Sequence, residues 1–110
     1  MSAAITTHVL DTARGRPAAG VAIVLERSNG DGWERVGAGS TDADGRLREL
    51  GSVDPGHYRL TFDTGGYFAA GGQDGFYPEV VVNFTVQQGE DHYHVPLLLN
   101  PYGYSTYRGS

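Results

Sequence analysis

Imidazole groups are the side chains of this 110-residue chain best suited to proton transfer near neutral pH. The sequence contains four histidines, and two of them, His92 and His94, lie two positions apart. Alternate residues of a β-strand share a face, so both rings are expected on one side of a strand. His8 lies in a strand-like run near the start of the chain and is a candidate general base.

Arginine supplies every basic side chain in the sequence. Eight basic and thirteen acidic residues give a formal net charge of −5, which argues against a nucleic-acid surface. Without lysine, Schiff-base chemistry is excluded. Arg46 directly follows the turn residues Asp44 and Gly45. Such an arginine is usually solvated, but a planar guanidinium can also hold a carbonyl group or stabilise a developing oxyanion.

Some other kinds of catalytic and binding site are excluded, because the residues or motifs that they need are missing from the sequence. There is no cysteine, which excludes disulfides, thiolate metal sites and a cysteine nucleophile. There is no Gly-x-Ser-x-Gly elbow and no glycine-rich phosphate loop before a helix. A zinc site built from His8, His92 and His94 is a competing interpretation, because three histidines can bind zinc. No acidic residue is placed to orient those rings.

The elements that must position these residues are short strands separated by glycine and proline. The pattern predicts strands at residues 6–10, 21–27, 33–40, 46–50, 57–63, 77–86, 92–99 and 104–107, and one short helix within 64–72. About seven or eight short strands with frequent turns are typical of an all-β sandwich or barrel. Residues 1–110 are expected to form a single domain.

Alternation within two of these strands predicts which way the histidines face. In the first strand, His8 shares a face with Thr6 and lies opposite the face of Val9. In the 92–99 strand, Pro96 shares a face with both histidines. Proline has no N–H group to donate to a ladder, so the pairing of this strand is expected to be irregular at that residue.

Three segments together resemble a known family over essentially the whole chain. They are Thr7-His8-Val9-Leu10-Asp11-Thr12 with Gly15-Arg16-Pro17-Ala18, then Thr41-Asp42-Ala43-Asp44-Gly45-Arg46, and His92 to Leu99 with Tyr104 to Ser110. The chain thereby resembles the transthyretin-like 5-hydroxyisourate hydrolases. The last four residues, Tyr-Arg-Gly-Ser, resemble the feature that separates these hydrolases from the hormone-carrying transthyretins. Asn100 departs from the family, which usually has serine before the proline.

The resemblance implies a β-sandwich of two four-stranded sheets with one short helix. It implies a homotetramer, a dimer of dimers, with sites where the dimers meet. It assigns catalysis to His8, Arg46 and His94, and substrate contacts to His8, Arg46, Tyr107 and Ser110, with no metal and no cofactor. The implied reaction is hydrolysis of 5-hydroxyisourate, the product of urate oxidation, to 2-oxo-4-hydroxy-4-carboxy-5-ureidoimidazoline.

The sequence also leaves two alternative functions open and predicts a cellular location. A transthyretin-like carrier of a small molecule and a purely structural β-sandwich are the competing interpretations. The first residues lack the basic and apolar regions of a secretory signal, so a cytoplasmic location is expected. No apolar run approaches the roughly 20 residues of a membrane-spanning helix, so no membrane partner is expected.

Overall fold

The computed structural model describes residues 2–110, which form two β-sheets packed face to face and one short helix. The elements in chain order are β1 (Ala3–Asp11), β2 (Arg16–Pro17), β3 (Ala22–Ser28), β4 (Trp33–Ser40), β5 (Arg46–Leu47), β6 (Ser52–Val53), β7 (Gly56–Phe62), α1 (Thr64–Ala70), β8 (Val80–Val86), β9 (His92–Asn100) and β10 (Gly103–Thr106). The predicted all-β sandwich with one short helix is confirmed.

The first sheet has the order β10-β9-β1-β2, and the second has the order β4-β3-β7-β8. The fourth position of the first sheet, next to β1, is not filled by one continuous strand. The two-residue segments β2, β5 and β6 share it, each pairing with a different part of β1. Gly45 and Gly51 lie on either side of β5 and adopt left-handed φ angles of 75° and 116°, so the chain beside β1 is not one continuous extended strand.

Burial follows the alternation that the sequence predicted. In β1, Ile5, Thr7 and Val9 are buried between the sheets, while Thr6 and His8 lie on the outer face and are half-buried. The partner strand β9 buries alternate apolar residues in the same core, including Tyr93, Val95, Leu97 and Leu99. Because removal of apolar surface from water drives this packing, the histidines are left on the opposite face.

The irregularity expected at Pro96 is present. The hairpin of β9 and β10 pairs as far as Leu97 with Thr106, and its register then continues only as a bridge between His94 and Gly109. Between those two points the ladder is interrupted opposite Pro96, which has no N–H group to donate. The hydroxyl of Thr106 donates instead to the Pro96 carbonyl, at 2.7 Å. The residues after β10 therefore run back alongside His94.

Helix α1 connects β7 to β8, which are neighbours in the second sheet. Seven residues are too few to be stable alone, so its packing contacts decide its stability. The carboxylate of Asp63 accepts a hydrogen bond from the Gly66 N–H, and Phe68 is buried in the core. Nowhere in residues 2–110 is there a helix with the length and apolar character needed to cross a membrane.

Tyr67 of α1 makes the polar contact that ties the helix to the first sheet. Its hydroxyl donates to Oδ2 of Asp11 at 2.7 Å, and the Asp11 side chain is only 1% exposed. Burial, together with the hydrogen bond to this carboxylate, raises the pKa of Tyr67 to about 12. The second Asp11 oxygen accepts from the Arg14 N–H at 3.0 Å. The buried carboxylate is thus held by several donors.

Replacing Tyr67 with phenylalanine is expected to destabilise the protein. The substitution removes one donor from a buried carboxylate, which typically costs about 1–3 kcal/mol. Thermal unfolding followed by circular dichroism should show a melting temperature lower by several degrees, since about 1 kcal/mol corresponds to roughly 4–8 °C in a domain of this size. The matched control is Tyr102→Phe, because Tyr102 is 69% exposed. Equal melting temperatures for both variants would contradict this account.

Candidate active site

The pairing of β1 with β9 brings two of the three predicted catalytic residues to one place. The strands are parallel, and their register sets Thr6 opposite His94 and His8 opposite Pro96. Side chains of directly opposite residues emerge on the same face of a sheet. His8 and His94 therefore occupy neighbouring positions on the outer face of the first sheet.

Arg46 reaches this face from the other edge of β1. Segment β5 pairs with β1 so that Arg46 lies opposite His8. The preceding turn fixes this placement, because the carboxylate of Asp42 accepts the backbone N–H groups of Asp44 and Arg46 at 2.9 and 3.0 Å. These hydrogen bonds to its charged form lower the pKa of Asp42. Arg46 thus leaves the turn at a defined position.

Gly45 allows that turn to lie directly against β1. Its φ angle of 75° is left-handed, and a Cβ atom at this position would collide with the carbonyl oxygen of Val9. The Gly45 carbonyl also accepts the Val9 N–H at 2.7 Å. Only glycine satisfies both the conformation and the close approach. The geometry of this turn therefore requires glycine at position 45.

The hydrogen bond of His8 identifies which of its nitrogens is free. Its Nε2 lies 2.9 Å from the carbonyl oxygen of Asp44. A carbonyl oxygen can only accept, so Nε2 carries the proton and donates. In the neutral ring, Nδ1 then holds the lone pair and is able to accept a proton from a bound molecule.

His94 has an environment that keeps its ring neutral. Burial lowers the pKa of His94, and the positive charges of His92, Arg46 and His8 lower it further. Its Nδ1 lies 2.8 Å from the hydroxyl oxygen of Thr6. A neutral, half-buried imidazole beside a guanidinium is suited to accept a proton near neutral pH.

The last residues are held beside His94 by backbone and side-chain contacts. The Gly109 N–H donates to the His94 carbonyl at 2.8 Å, and a Cβ atom at residue 109 would come within 2.5 Å of His94 Cδ2. The guanidinium of Arg108 lies over the ring of Tyr93, 4.5 Å from its centroid, and 3.3 Å from a Glu90 carboxylate oxygen. The glycine at 109 is therefore required for the chain to pass the imidazole.

Tyr107 and Ser110, the predicted substrate contacts, lie in this segment. Tyr107 is 57% exposed and Ser110 is also exposed. Within residues 2–110, neither side chain hydrogen-bonds to His8 or His94. Tyr107 instead borders a cavity of about 310 Å³ between the end of β10 and strand β8. Their assignment as substrate contacts remains a prediction.

The competing zinc interpretation finds no support in the arrangement of side chains. Among residues 2–110, no three His, Cys, Asp or Glu side chains are grouped so as to hold a metal ion. His92 and His94 have ring centroids 6.4 Å apart, whereas His8 Nε2 is turned to the Asp44 carbonyl.

The sequence pattern did not predict two groups that position the histidines. One is the Asp44 carbonyl that sets the His8 tautomer, and the other is Thr6, whose hydroxyl also lies 3.0 Å from His92 Nε2. Alternation alone showed that Thr6 shares a face with His8. The register that places Thr6 opposite His94 has no local signal in the sequence.

Comparison with known proteins shows which family and which characterised proteins this chain resembles. The HIUase/Transthyretin family matches residues 5–109. A 5-hydroxyisourate hydrolase from Salmonella typhimurium is 48% identical over 109 residues, covering 96% of this chain and 80% of that protein. The structure of Klebsiella pneumoniae 5-hydroxyisourate hydrolase is 37% identical, with a TM-score of 0.88 and coverage of 98% of this chain and 99% of that one.

A transthyretin has an equally similar fold. The structure of sea bream transthyretin in complex with thyroxine is 33% identical, with a TM-score of 0.91 and coverage of 96% of this chain and 93% of that one. Similarity of fold therefore does not separate hydrolase from hormone carrier. The side chains on the outer face of the first sheet must make that distinction.

The surroundings of His94 lead to an expected titration. Followed by NMR, its ring should titrate with a midpoint below 6.5, so that the neutral form predominates at pH 7. Arg46→Gln should raise the midpoint by removing a positive charge, yet leave it below 6.5, because burial is the larger cause. Arg35→Gln, in β4 of the other sheet, serves as the control and should leave the midpoint unchanged. A wild-type midpoint at or above 6.5 would refute this description of the site.

Proposed function

The chain belongs to the HIUase/transthyretin family, and from that premise we propose that it is a hydrolase of 5-hydroxyisourate. The observation that carries the proposal is the convergence of His8, Arg46 and His94 on one outer face of the first sheet. Two imidazoles can supply the general base, and a guanidinium the oxyanion stabilisation, for the opening of a cyclic amide by water.

The reaction adds water across an amide-like bond of the six-membered ring. The water oxygen bonds to a ring carbonyl carbon while one water proton passes to an imidazole. The carbon–nitrogen bond then breaks, and the protonated imidazole returns its proton to the leaving nitrogen. The product is 2-oxo-4-hydroxy-4-carboxy-5-ureidoimidazoline, so this step belongs to purine breakdown.

His8, acting with His94, removes the proton from the attacking water. The Asp44 carbonyl holds the His8 proton on Nε2 and leaves Nδ1 as an acceptor. Burial and the neighbouring positive charges lower the pKa of His94, so the His94 ring beside His8 is neutral. A base positioned in this way typically contributes about 10²- to 10⁴-fold to a rate.

Arg46 supplies the electrostatic part of the mechanism. Its guanidinium holds the ring carbonyl and stabilises the negative charge that develops on the carbonyl oxygen as water adds. The Asp42 carboxylate accepts the backbone N–H of Arg46 and so fixes the point where this residue leaves the turn. The guanidinium is therefore in place before the negative charge forms on the carbonyl oxygen. Loss of such a donor typically costs about 10²- to 10³-fold.

We further propose that the site is completed by assembly into a dimer of dimers. In one copy the outer face that carries the imidazoles is open to solvent, and β8 and β10 lie at free edges of their sheets. Edge strands commonly pair with a second chain. Two outer faces in contact would enclose the substrate with the attacking water and exclude bulk solvent, with Tyr107 and Ser110 contacting the substrate from the chain end.

A carrier function is the second candidate, and the similarity to the thyroxine complex of sea bream transthyretin favours it. A carrier of an apolar ligand needs an apolar channel along this face. Here the same face presents His8, His94, His92 and Arg46. A carrier would leave the absorbance decay of freshly formed 5-hydroxyisourate unaccelerated, which distinguishes the two functions directly.

Alanine substitutions test the three catalytic assignments. With 5-hydroxyisourate generated by urate oxidase, His8→Ala is expected to lower the enzymatic rate about 10²- to 10⁴-fold, and Arg46→Ala about 10²- to 10³-fold. His94→Ala should fall in the same range as His8→Ala. The control is His57→Ala in β7 of the second sheet, which should keep the wild-type rate. A His8→Ala variant with near wild-type turnover would show that this assignment is wrong.

The assembly is tested separately. Sedimentation equilibrium should give about four times the 11.8 kDa mass of one chain. Dilution below the dissociation range should reduce turnover per chain, because separated copies leave the site open to water. Full turnover by single copies would contradict the proposal that the site is shared.

A further inference from the structure

The hydroxyl of Thr6 lies between two imidazoles. Its oxygen is 2.8 Å from Nδ1 of His94 and 3.0 Å from Nε2 of His92, and both distances are those of hydrogen bonds. The register of β1 and β9 creates this arrangement, because Thr6 lies directly opposite His94 and His92 is the next residue along that face. The three groups form a short hydrogen-bonded row.

Two arrangements keep the hydroxyl proton of Thr6 within this row. A hydroxyl has a single proton to donate, and a neutral imidazole has one donor nitrogen and one acceptor nitrogen. If Thr6 donates to His92, it must accept the Nδ1–H of His94. If it donates to His94, it must accept the Nε2–H of His92. Thr6 therefore links the tautomers of the two rings.

The two arrangements differ in what His94 can do. In the first, His94 carries its proton on Nδ1 and keeps a lone pair on Nε2, which is free of protein partners within residues 2–110. In the second, Nε2 carries the proton and cannot accept another. The nitrogen that is protonated in a histidine is commonly fixed by the hydrogen bond of the other nitrogen. Only the first arrangement leaves His94 able to act as a base.

We propose that Thr6 is a positioning residue that holds His94 in the Nδ1–H form by donating its hydroxyl hydrogen bond to Nε2 of His92. The link between the two rings rests on these distances, whereas the choice of the Nδ1–H form rests on the proposed hydrolase function, which needs a base at His94. His92 is exposed, so water satisfies its other nitrogen and its ring adapts freely. Within residues 2–110, His8 makes no hydrogen bond to Thr6, and its Nε2 donates to the Asp44 carbonyl.

Two substitutions at Thr6 separate the hydroxyl from the shape of the side chain. Thr6→Val keeps the shape and removes the hydroxyl, whereas Thr6→Ser keeps the hydroxyl. Nitrogen-15 NMR of the histidine rings should show the Nδ1–H form of His94 in the wild type and in Thr6→Ser. In Thr6→Val it should show a shift towards the Nε2–H form. The control is Thr61→Val, a half-buried threonine of β7 in the second sheet, which should leave the spectrum unchanged.

Kinetics with 5-hydroxyisourate give the second readout. Thr6→Val should lower kcat about tenfold with little change in KM, since a typical hydrogen bond sets a preference of about that size. Thr6→Ser should recover most of the lost rate. The melting temperature and the sedimentation behaviour of both variants should match those of the wild type. This control shows that a lower rate does not come from a loss of folding or assembly.

The outcomes are distinct. A wild-type His94 in the Nε2–H form, or an unchanged Nδ1–H form in Thr6→Val, would overturn the proposal. If Thr6→Val does not fold, His92→Phe provides the same test, because it removes the acceptor of the Thr6 proton and should shift His94 to the Nε2–H form. A wild type that does not hydrolyse 5-hydroxyisourate would refute the proposed function, while the tautomer comparison would still decide the role of Thr6.

Discussion

The parallel pairing of β1 with β9 is the constraint on which the candidate site depends. His8 and His94 are far apart in the sequence, and only this ladder makes them neighbours. A slip of one residue would turn either imidazole into the core, so the buried faces of both strands enforce the register. Ile5 and Val9 on one strand and Leu97 and Leu99 on the other supply that apolar face. The hydrophobic core therefore also specifies the position of the candidate catalytic groups.

Close backbone approaches bring the remaining parts of the site to this ladder. Gly45 lets the turn before Arg46 lie against β1, and Gly109 lets the last residues pass the ring of His94. A side chain at position 45 would collide with the Val9 carbonyl, and one at position 109 with the His94 ring. The sequence thus uses glycine where a polar group must meet a strand at short range.

The sequence predicted the parts of the structure that depend on local periodicity. The outward direction of His8 and His94 and the broken ladder at Pro96 followed from a period of two and from a missing N–H. The division of one sheet position among three short segments, and the contacts of Thr6, could not be predicted. They depend on the register between distant strands, which no local pattern encodes. The roles of Tyr107 and Ser110 came from family resemblance, and a single copy leaves both side chains exposed.

The central claim is that the two imidazoles act as one unit, and a double-mutant cycle on kcat/KM tests it most directly. Residues that act together show strongly non-additive losses. The account predicts that His8→Ala combined with His94→Ala is about as slow as the slower single variant. Losses that multiply, as for two independent sites, would contradict it.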